Sequence, residues 1–292
     1  MKPLVSIILV LYNGYADTIE CIKSLKKVHY DNYNITVVDN ASTTRDEKAI
    51  EYLKENSDYI VSPNNCGFSG GNNIGIKYCM KKYNSDYFLL LNNDTTVEPD
   101  FIDELLSIYS HNEHVGIACG KILYYDFPDL IWYAGGTFDQ KYAIADHCLY
   151  NKKNNDDIVE KEIEFATGCL LLIPKYIFDT VGYLSEEYFL YAEDTDFSRR
   201  VRKSGYKIVY NSKAIIYHKV SKSTKTSELI SYYMVRNNLY IIKKYANSRK
   251  MAYFKYAIFL MKAIIKREIQ IKSTFKGIYD FLCNKKGKKV KL

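Results

Sequence analysis

An α/β fold with a mostly parallel central sheet, covered by helices on both faces, is predicted by three observations. Apolar strand-like runs alternate with helix-like stretches through the first 125 residues. Several runs stop abruptly on polar or glycine-rich clusters, as "YFLLLNND" does at Asn92, Asn93 and Asp94. The chain has 292 residues, 47% of them hydrophobic and 26% charged, which is enough to bury a large core.

The first strand is Val5 to Leu11. Its apolar run is broken by Ser6 and followed by Tyr12 and Asn13 rather than by a small-residue cleavage site, so it reads as a buried strand and not as a signal peptide. Further strands are expected at Ile35 to Val38, Tyr59 to Ser62, Tyr87 to Leu91 and Gly116 to Leu123, with helices over 16–28, 45–56, 71–83 and 99–111. From about 126 to 164 the pattern weakens, and "YNKKNNDDIVEKE" reads as an exposed loop or hairpin tip. "FATGCLLLIPKYIFDTVG" then supplies a strand and a helix that starts near Pro174 and closes at Gly182. A second helix begins at "EDTDFSRRVRKSG", where acids in the first turn and bases toward Gly205 both suit the helix dipole. The expected division is a domain over 1–227, in two halves (about 1–125 and about 126–227), and a helical basic tail over 228–292.

Charge is concentrated in that tail. Residues 243–292 carry 15 Lys and Arg against Glu268 and Asp280, a net +13, so the overall +7 leaves −6 for the rest. The apolar stretch "YAIFLMKAII" is interrupted by Lys262 and falls short of the roughly 20 residues needed to span a bilayer. An amphipathic helix on an anionic membrane surface fits, as does a packed helix with a solvated basic face. Nucleic acid fits less well, because the basic residues are interleaved with aliphatic rather than stacking aromatic side chains. Seven cysteines without a C-x-x-C pair suggest neither a disulfide framework nor a structural zinc site, and point to a reducing cytosol.

In open α/β sheets ligands collect beyond the carboxyl ends of the strands, so the polar clusters there are the candidate site. "VVDNAS" presents Asp39 and Asn40; "SPNNCGFSGGNN" brings glycines before a helix whose amides favour an anion. It matches neither the dinucleotide fingerprint nor the P-loop. Asp94 at a strand end suits Mg²⁺ or Mn²⁺, which accept carboxylate and diphosphate oxygens together. "EEYFLYAEDTDFSRR" sets Glu193 and Asp194 beside apolar residues that raise carboxyl pKa values, as a general base requires, while a helix N-terminus pulls the other way. Trp132, the only tryptophan, is a candidate for stacking on a sugar ring or for the core.

Together with "PLVSIILVLYNG", "LLLNNDTTVEPDF", "IYHKVSKST" and "YYMVRNNLYIIKKY", these clusters make most of residues 3–245 resemble family 2 glycosyltransferases, with the bacterial rhamnosyltransferase-like branch of O-antigen, capsule and cell-wall polysaccharide enzymes most similar. The resemblance implies a GT-A fold, a nucleotide-diphosphate sugar donor such as dTDP-rhamnose or a UDP-sugar, a divalent cation and inversion at the anomeric carbon. It implies that Asp39 contacts the nucleobase beside Tyr12 and Asn13, and that Asn64, Gly67 and Asn72 line the nucleoside and diphosphate. Asp94 matches the last acid of the D-x-D metal motif, with Asn92 in place of the first acid and Asn93 between them. His218 is implied as a further metal ligand and Asp194 as the base that deprotonates the acceptor hydroxyl, with Glu193 orienting the acceptor or the base. Thr167 and Gly168 match the strand bordering the sugar pocket. Arg199 and Arg236 are candidates to neutralise the leaving diphosphate or to form internal ion pairs.

The expected protein is thus a peripheral enzyme on the inner face of the cell membrane that extends a glycan or lipid-linked saccharide; a homo-oligomer stays open. A sugar nucleotidyltransferase is disfavoured, because "LYNGYADT" lacks a base to grip a triphosphate. A non-catalytic nucleotide-sugar-binding subunit is the alternative that the missing first acid keeps open.

Overall fold

The computed structural model describes residues 2–155, 159–220 and 228–289. Part of the expected exposed loop and the "SKST" end of "IYHKVSKST" lie outside the described residues.

The first elements in chain order are β1 (Val5–Leu11), α1 (Tyr15–Leu25), β2 (Tyr33–Asp39), α2 (Glu47–Asn56), β3 (Asp58–Val61), α3 (Gly67–Tyr83) and β4 (Tyr87–Asn92). Their strands pair in parallel in the order β3-β2-β1-β4. The chain therefore winds outward from β1 in one direction, then returns through α3 to place β4 on the other side. That reversal opens a crevice beyond the carboxyl ends of β1 and β4, the usual place for a ligand in such sheets. Val5, Ile7, Ile8, Leu9 and Phe88 to Leu90 are fully buried, which is why these strands read as continuous rather than alternating apolar runs.

Helix α3 starts four residues before the expected position, because its glycines pack instead of breaking the helix. A Cβ on Gly71 would stand 2.6 Å from Val10 Cγ1, so only glycine lets α3 lie directly on β1.

The second half contains β5 (Thr95–Val97), α4 (Phe101–His111), β6 (Val115–Tyr124), β7 (Ile131–Tyr133), β8 (Gly136–Asp139), β9 (Ile144–His147), β10 (Glu160–Ile163), β11 (Leu170–Pro174), α5 (Lys175–Thr180), α6 (Glu193–Lys203) and β12 (Lys207–His218). The sheet continues past β4 through antiparallel β11 to β6, β12 and β10, with β5 paired to β12 and β7 to β6. Strands β8 and β9 form a separate hairpin within the stretch where the sequence pattern faded.

Three helices follow: α7 (Glu228–Tyr245), α8 (Arg249–Ile265) and α9 (Ile271–Leu282). Helix α7 is deeply buried, and Gly277 of α9 lies against the Tyr232 carbonyl. The outer surfaces of α8 and α9 expose Phe254, Phe259, Met261, Ile265, Phe275 and Leu282. Among the described residues no helix is long and apolar enough to cross a membrane.

Candidate active site

A cleft of about 420 Å³ lies at the β1/β4 reversal. Six of the expected residues line it: Tyr12, Gly67, Asn72, Asn92, Asn93 and Asp94. Asn40, named with Asp39 in the "VVDNAS" cluster, lines it as well, as do Asn65 and Phe68, which were not singled out although they adjoin residues that were. Its walls are thus rich in amides and, among the described residues, hold a single carboxylate, Asp94.

Three expected contacts sit elsewhere. Asp39 is buried, and its carboxylate already accepts bonds from the Ser42 N–H at 2.8 Å, from the Tyr15 hydroxyl at 3.3 Å and from the Tyr59 hydroxyl. Asn13, with φ 61°, staples two loops together: its Oδ1 accepts from the backbone N–H of Thr43 at 2.8 Å and of Thr44 at 2.9 Å. Asn64 is exposed and outside the cleft, whereas its neighbour Asn65 lines it.

Strand register brings the two expected metal ligands together. Strand β5 pairs antiparallel with β12 so that His218 faces Thr95, the residue after Asp94, and the Lys219 N–H donates to the Asp94 carbonyl at 2.9 Å. His218 Nε2 consequently stands 3.2 Å from Asp94 Oδ1, while its buried Nδ1 has no hydrogen-bond partner among the described residues. The Trp132 ring meets the His218 ring edge-on at 4.7 Å between centroids, so Trp132 braces this pair. The described residues hold no cluster of three or more His, Cys, Asp or Glu side chains. One carboxylate and one imidazole fit a hard divalent cation that draws its remaining ligands from a diphosphate and water.

Asp194, in the first turn of α6, lies near Gly168, which packs against Phe68. A Cβ on Gly168 would lie 2.9 Å from the Phe68 ring and 3.6 Å from Asp194 Cβ, which explains the small residue there. Asp194 accepts bonds from the backbone N–H groups of Gly168 at 3.0 Å and Thr195 at 2.7 Å. Glu193 beside it is buried, and its Oε2 has no partner among the described residues. Burial, reinforced by the Asp194 charge, pushes the Glu193 carboxyl up to about 8, and burial raises Asp194 too, though its N–H partners work against the shift. Donors around Asp194 and none at Glu193 Oε2 make Glu193 the readier of the two to stay protonated and Asp194 the readier to carry charge.

This division has a consequence for stability. Glu193 favours folding fully only below its ordinary value of 4.5, and that contribution is lost as pH rises toward about 8, because the unfolded carboxyl ionises first. Glu193→Gln is therefore expected to raise Tm relative to the parent more at about pH 9 than at about pH 5. Equal differences by scanning fluorimetry at both pH values would contradict a neutral Glu193.

The loop before α6 is strained. Phe189, Tyr191 and Ala192 all have positive φ, at 69°, 67° and 72°. Asn237 of α7 holds it, donating from one amide nitrogen toward the carbonyls of Tyr188 at 2.9 Å, Leu190 at 2.7 Å and Tyr191 at 2.9 Å. The Phe189 carbonyl accepts from the Phe68 N–H at 2.9 Å and would lie 2.1 Å from any Cβ on Gly67, so the cleft and the Asp194 loop are locked together.

Both expected diphosphate cations point elsewhere. Arg199 pairs with Glu164 at 2.9 Å and lies over the Phe138 ring. Arg236 is 1% exposed and donates to the carbonyls of Tyr188 at 2.9 Å and Gly287 at 2.8 Å. Thr195 borders a second pocket of about 440 Å³ between the β8–β9 hairpin and helices α7 and α8, walled by Tyr142, His147, Phe165 and Tyr256. Burial holds the His147 imidazole below its usual range. Thr167 is buried next to Gly168.

A doubly wound sheet extended by an antiparallel strand, with its cleft at the switch point, is the architecture of GT-A glycosyltransferases. Among solved structures, the chain is similar to GalNAc-T7 with UDP, GalNAc and Mn²⁺ (TM-score 0.66, 15% identity, 85% of this chain and 49% of that one). It is also similar to the mannosyltransferase PcManGT of Pyrobaculum calidifontis in complex with GDP-Man and Mn²⁺ (TM-score 0.62, 11% identity, 98% and 88%). The low-salt glycan biosynthesis hexosyltransferase Agl10 of Haloferax volcanii is 29% identical over 211 residues, 70% of this chain and 63% of that protein. The chain thus spans under two thirds of the length of that curated relative. The model of glycosyl transferase family 2 matches residues 6–182, and the chain belongs to that family.

Proposed function

We propose that this family 2 glycosyltransferase is an inverting, cation-dependent hexosyltransferase that extends a glycan or lipid-linked acceptor in polysaccharide assembly, with dTDP-rhamnose the first donor to test and UDP-sugars next. The observation that carries the proposal is the proximity of Asp194 to Gly168, which itself lies against Phe68 of the amide-lined cleft.

In this reading Asn40, Asn65, Asn72 and the Asn92–Asp94 turn hold the nucleotide end of the donor, and Asp94 with His218 holds a divalent cation. When bound, that cation would supply positive charge at the diphosphate. The acceptor enters by the aromatic-walled pocket beside Thr195, where ring faces suit a sugar. Asp194, its charge held by the Gly168 and Thr195 N–H groups, takes the proton from the acceptor hydroxyl as that oxygen attacks the anomeric carbon. The nucleoside diphosphate leaves from the opposite face, so the configuration inverts. The exposed apolar side chains of α8 and α9, interleaved with lysines, support docking on an anionic membrane.

One experiment tests these parts: incubation with dTDP-rhamnose and several UDP- and GDP-sugars, with Mn²⁺, Mg²⁺ or EDTA, in the presence of anionic or zwitterionic vesicles. Turnover of one donor, lost with EDTA, and co-flotation with the anionic vesicles alone are expected. EDTA-insensitive turnover would remove the cation from the proposal. Failure to float would remove the membrane.

A further inference from the structure

The cleft needs positive charge that the expected arginines do not provide. A nucleotide-sugar diphosphate is dianionic, and Asp94 adds a third negative charge. A divalent cation offsets two of the three, and the leaving diphosphate becomes more negative as the glycosyl bond breaks. Among the described residues lining the cleft, the only side-chain cations are Lys288 and Lys289, from the end of the chain.

These lysines are held in place. After α9 the chain folds back as a strap that is tied down at successive residues. Lys285 N–H donates to the Asp280 carbonyl at 2.8 Å, and Lys286 Nζ pairs with Glu187 at 2.9 Å. Gly287 donates to the Glu187 carbonyl at 2.6 Å and accepts from Arg236 Nη1 at 2.8 Å. Lys289 N–H donates to the Tyr233 hydroxyl at 2.9 Å. The Lys289 ammonium lies 4.4 Å from the centre of the Tyr232 ring with Asp280 at 3.8 Å, so this side chain anchors the strap against α7 and α9. Lys288, by contrast, is exposed on the cleft side, where its ammonium lies 5.9 Å from the centre of the Phe189 ring and makes no ion pair within the described residues.

We propose that the Lys285–Lys289 strap is the outer wall of the donor cleft and that Lys288 binds the diphosphate of the donor and of the departing nucleotide. Arg236 is then a positioning residue: it acts through the Gly287 carbonyl, not on the ligand. The assignment rests on the cleft being the donor site, and it places the C-terminal end of the chain in the site built by its N-terminal half.

The test is calorimetric titration of the full chain, with Mn²⁺ present, using UDP, dTDP and GDP and the nucleosides uridine, thymidine and guanosine. Lys288→Ala is expected to weaken the tightest diphosphate about tenfold, which is about 1.4 kcal/mol, and to leave the matching nucleoside and Tm unchanged. Lys288→Arg should restore most of the affinity, and Lys54→Ala, an exposed charge control on α2, should match the parent. Unchanged diphosphate affinity in Lys288→Ala, or equal loss for nucleoside and diphosphate, would overturn the strap assignment while leaving the donor site intact. A parent chain that binds no nucleoside diphosphate would overturn both.

Discussion

Asp194→Asn is expected to lower transfer to acceptor by about 10² to 10⁴, with donor affinity unchanged. A sugar hydroxyl is a poor nucleophile, and the substitution removes only the group that accepts its proton. The Asn side chain keeps the shape but has a single oxygen, so it can accept from only one of the Gly168 and Thr195 N–H groups, which now bond the two different carboxylate oxygens. Asp194 itself does not line the cleft, so the residues that do keep their geometry. Acceptor-dependent rates and calorimetric donor titration measure the two effects separately. Equal losses in rate and donor affinity would show that Asp194 supports the fold or the cleft instead of removing a proton.

Asn237→Ala is expected to destabilise the chain by about 2–4 kcal/mol and to lose most activity, although Asn237 itself lies in α7, away from the nucleotide. The substitution leaves the Leu190 and Tyr191 carbonyls without their amide donor, while Tyr188 retains Arg236. An unpaired acceptor costs about 1–3 kcal/mol when buried, and less at these part-buried carbonyls. The loop concerned already carries three positive-φ residues, each costing on the order of 1–3 kcal/mol when its support is lost. Relaxation of that strain would move Asp194, at the loop's end, and Phe189, which packs on Gly67. Chemical denaturation and transfer rates check the two effects; a variant as stable and active as the parent would show that the strain is held elsewhere.

How much of this was legible in the sequence depends on how local each cause is. The five expected strands of the central sheet all form; in β1, β4 and β6 near-complete burial makes the residues apolar over most of a strand's length, whereas the edge strand β3 is only part-buried. The four-residue strands of the β8–β9 hairpin left no comparable trace: Gly136–Asp139 alternates buried and exposed residues over one short cycle. Helix α3 began earlier than expected because glycine is a poor helix former in isolation, and only the approach of β1 reveals why Gly71 is needed.

The site divides in the same way. Asp94 and His218 meet because β5 and β12 pair in one register, and their joint role was implied by the family resemblance alone. Asp39 looked like a free carboxylate at a strand end, and nothing nearby in sequence revealed that Tyr59 would take up one of its oxygens. Arg199 and Arg236 each had an internal partner far along the chain, Glu164 and Gly287, which composition and spacing do not disclose. Lys288 looked like part of a basic tail, and only the folded strap brings it to the cleft.

The central claim is that donor and base lie on opposite sides of the reacting carbon, and the anomeric configuration of the product tests it most directly. Proton NMR of the first product formed from a donor of known configuration should show the opposite configuration, as a single displacement with Asp194 as base requires. A product that keeps the donor's configuration would contradict the placement of Asp194 as that base.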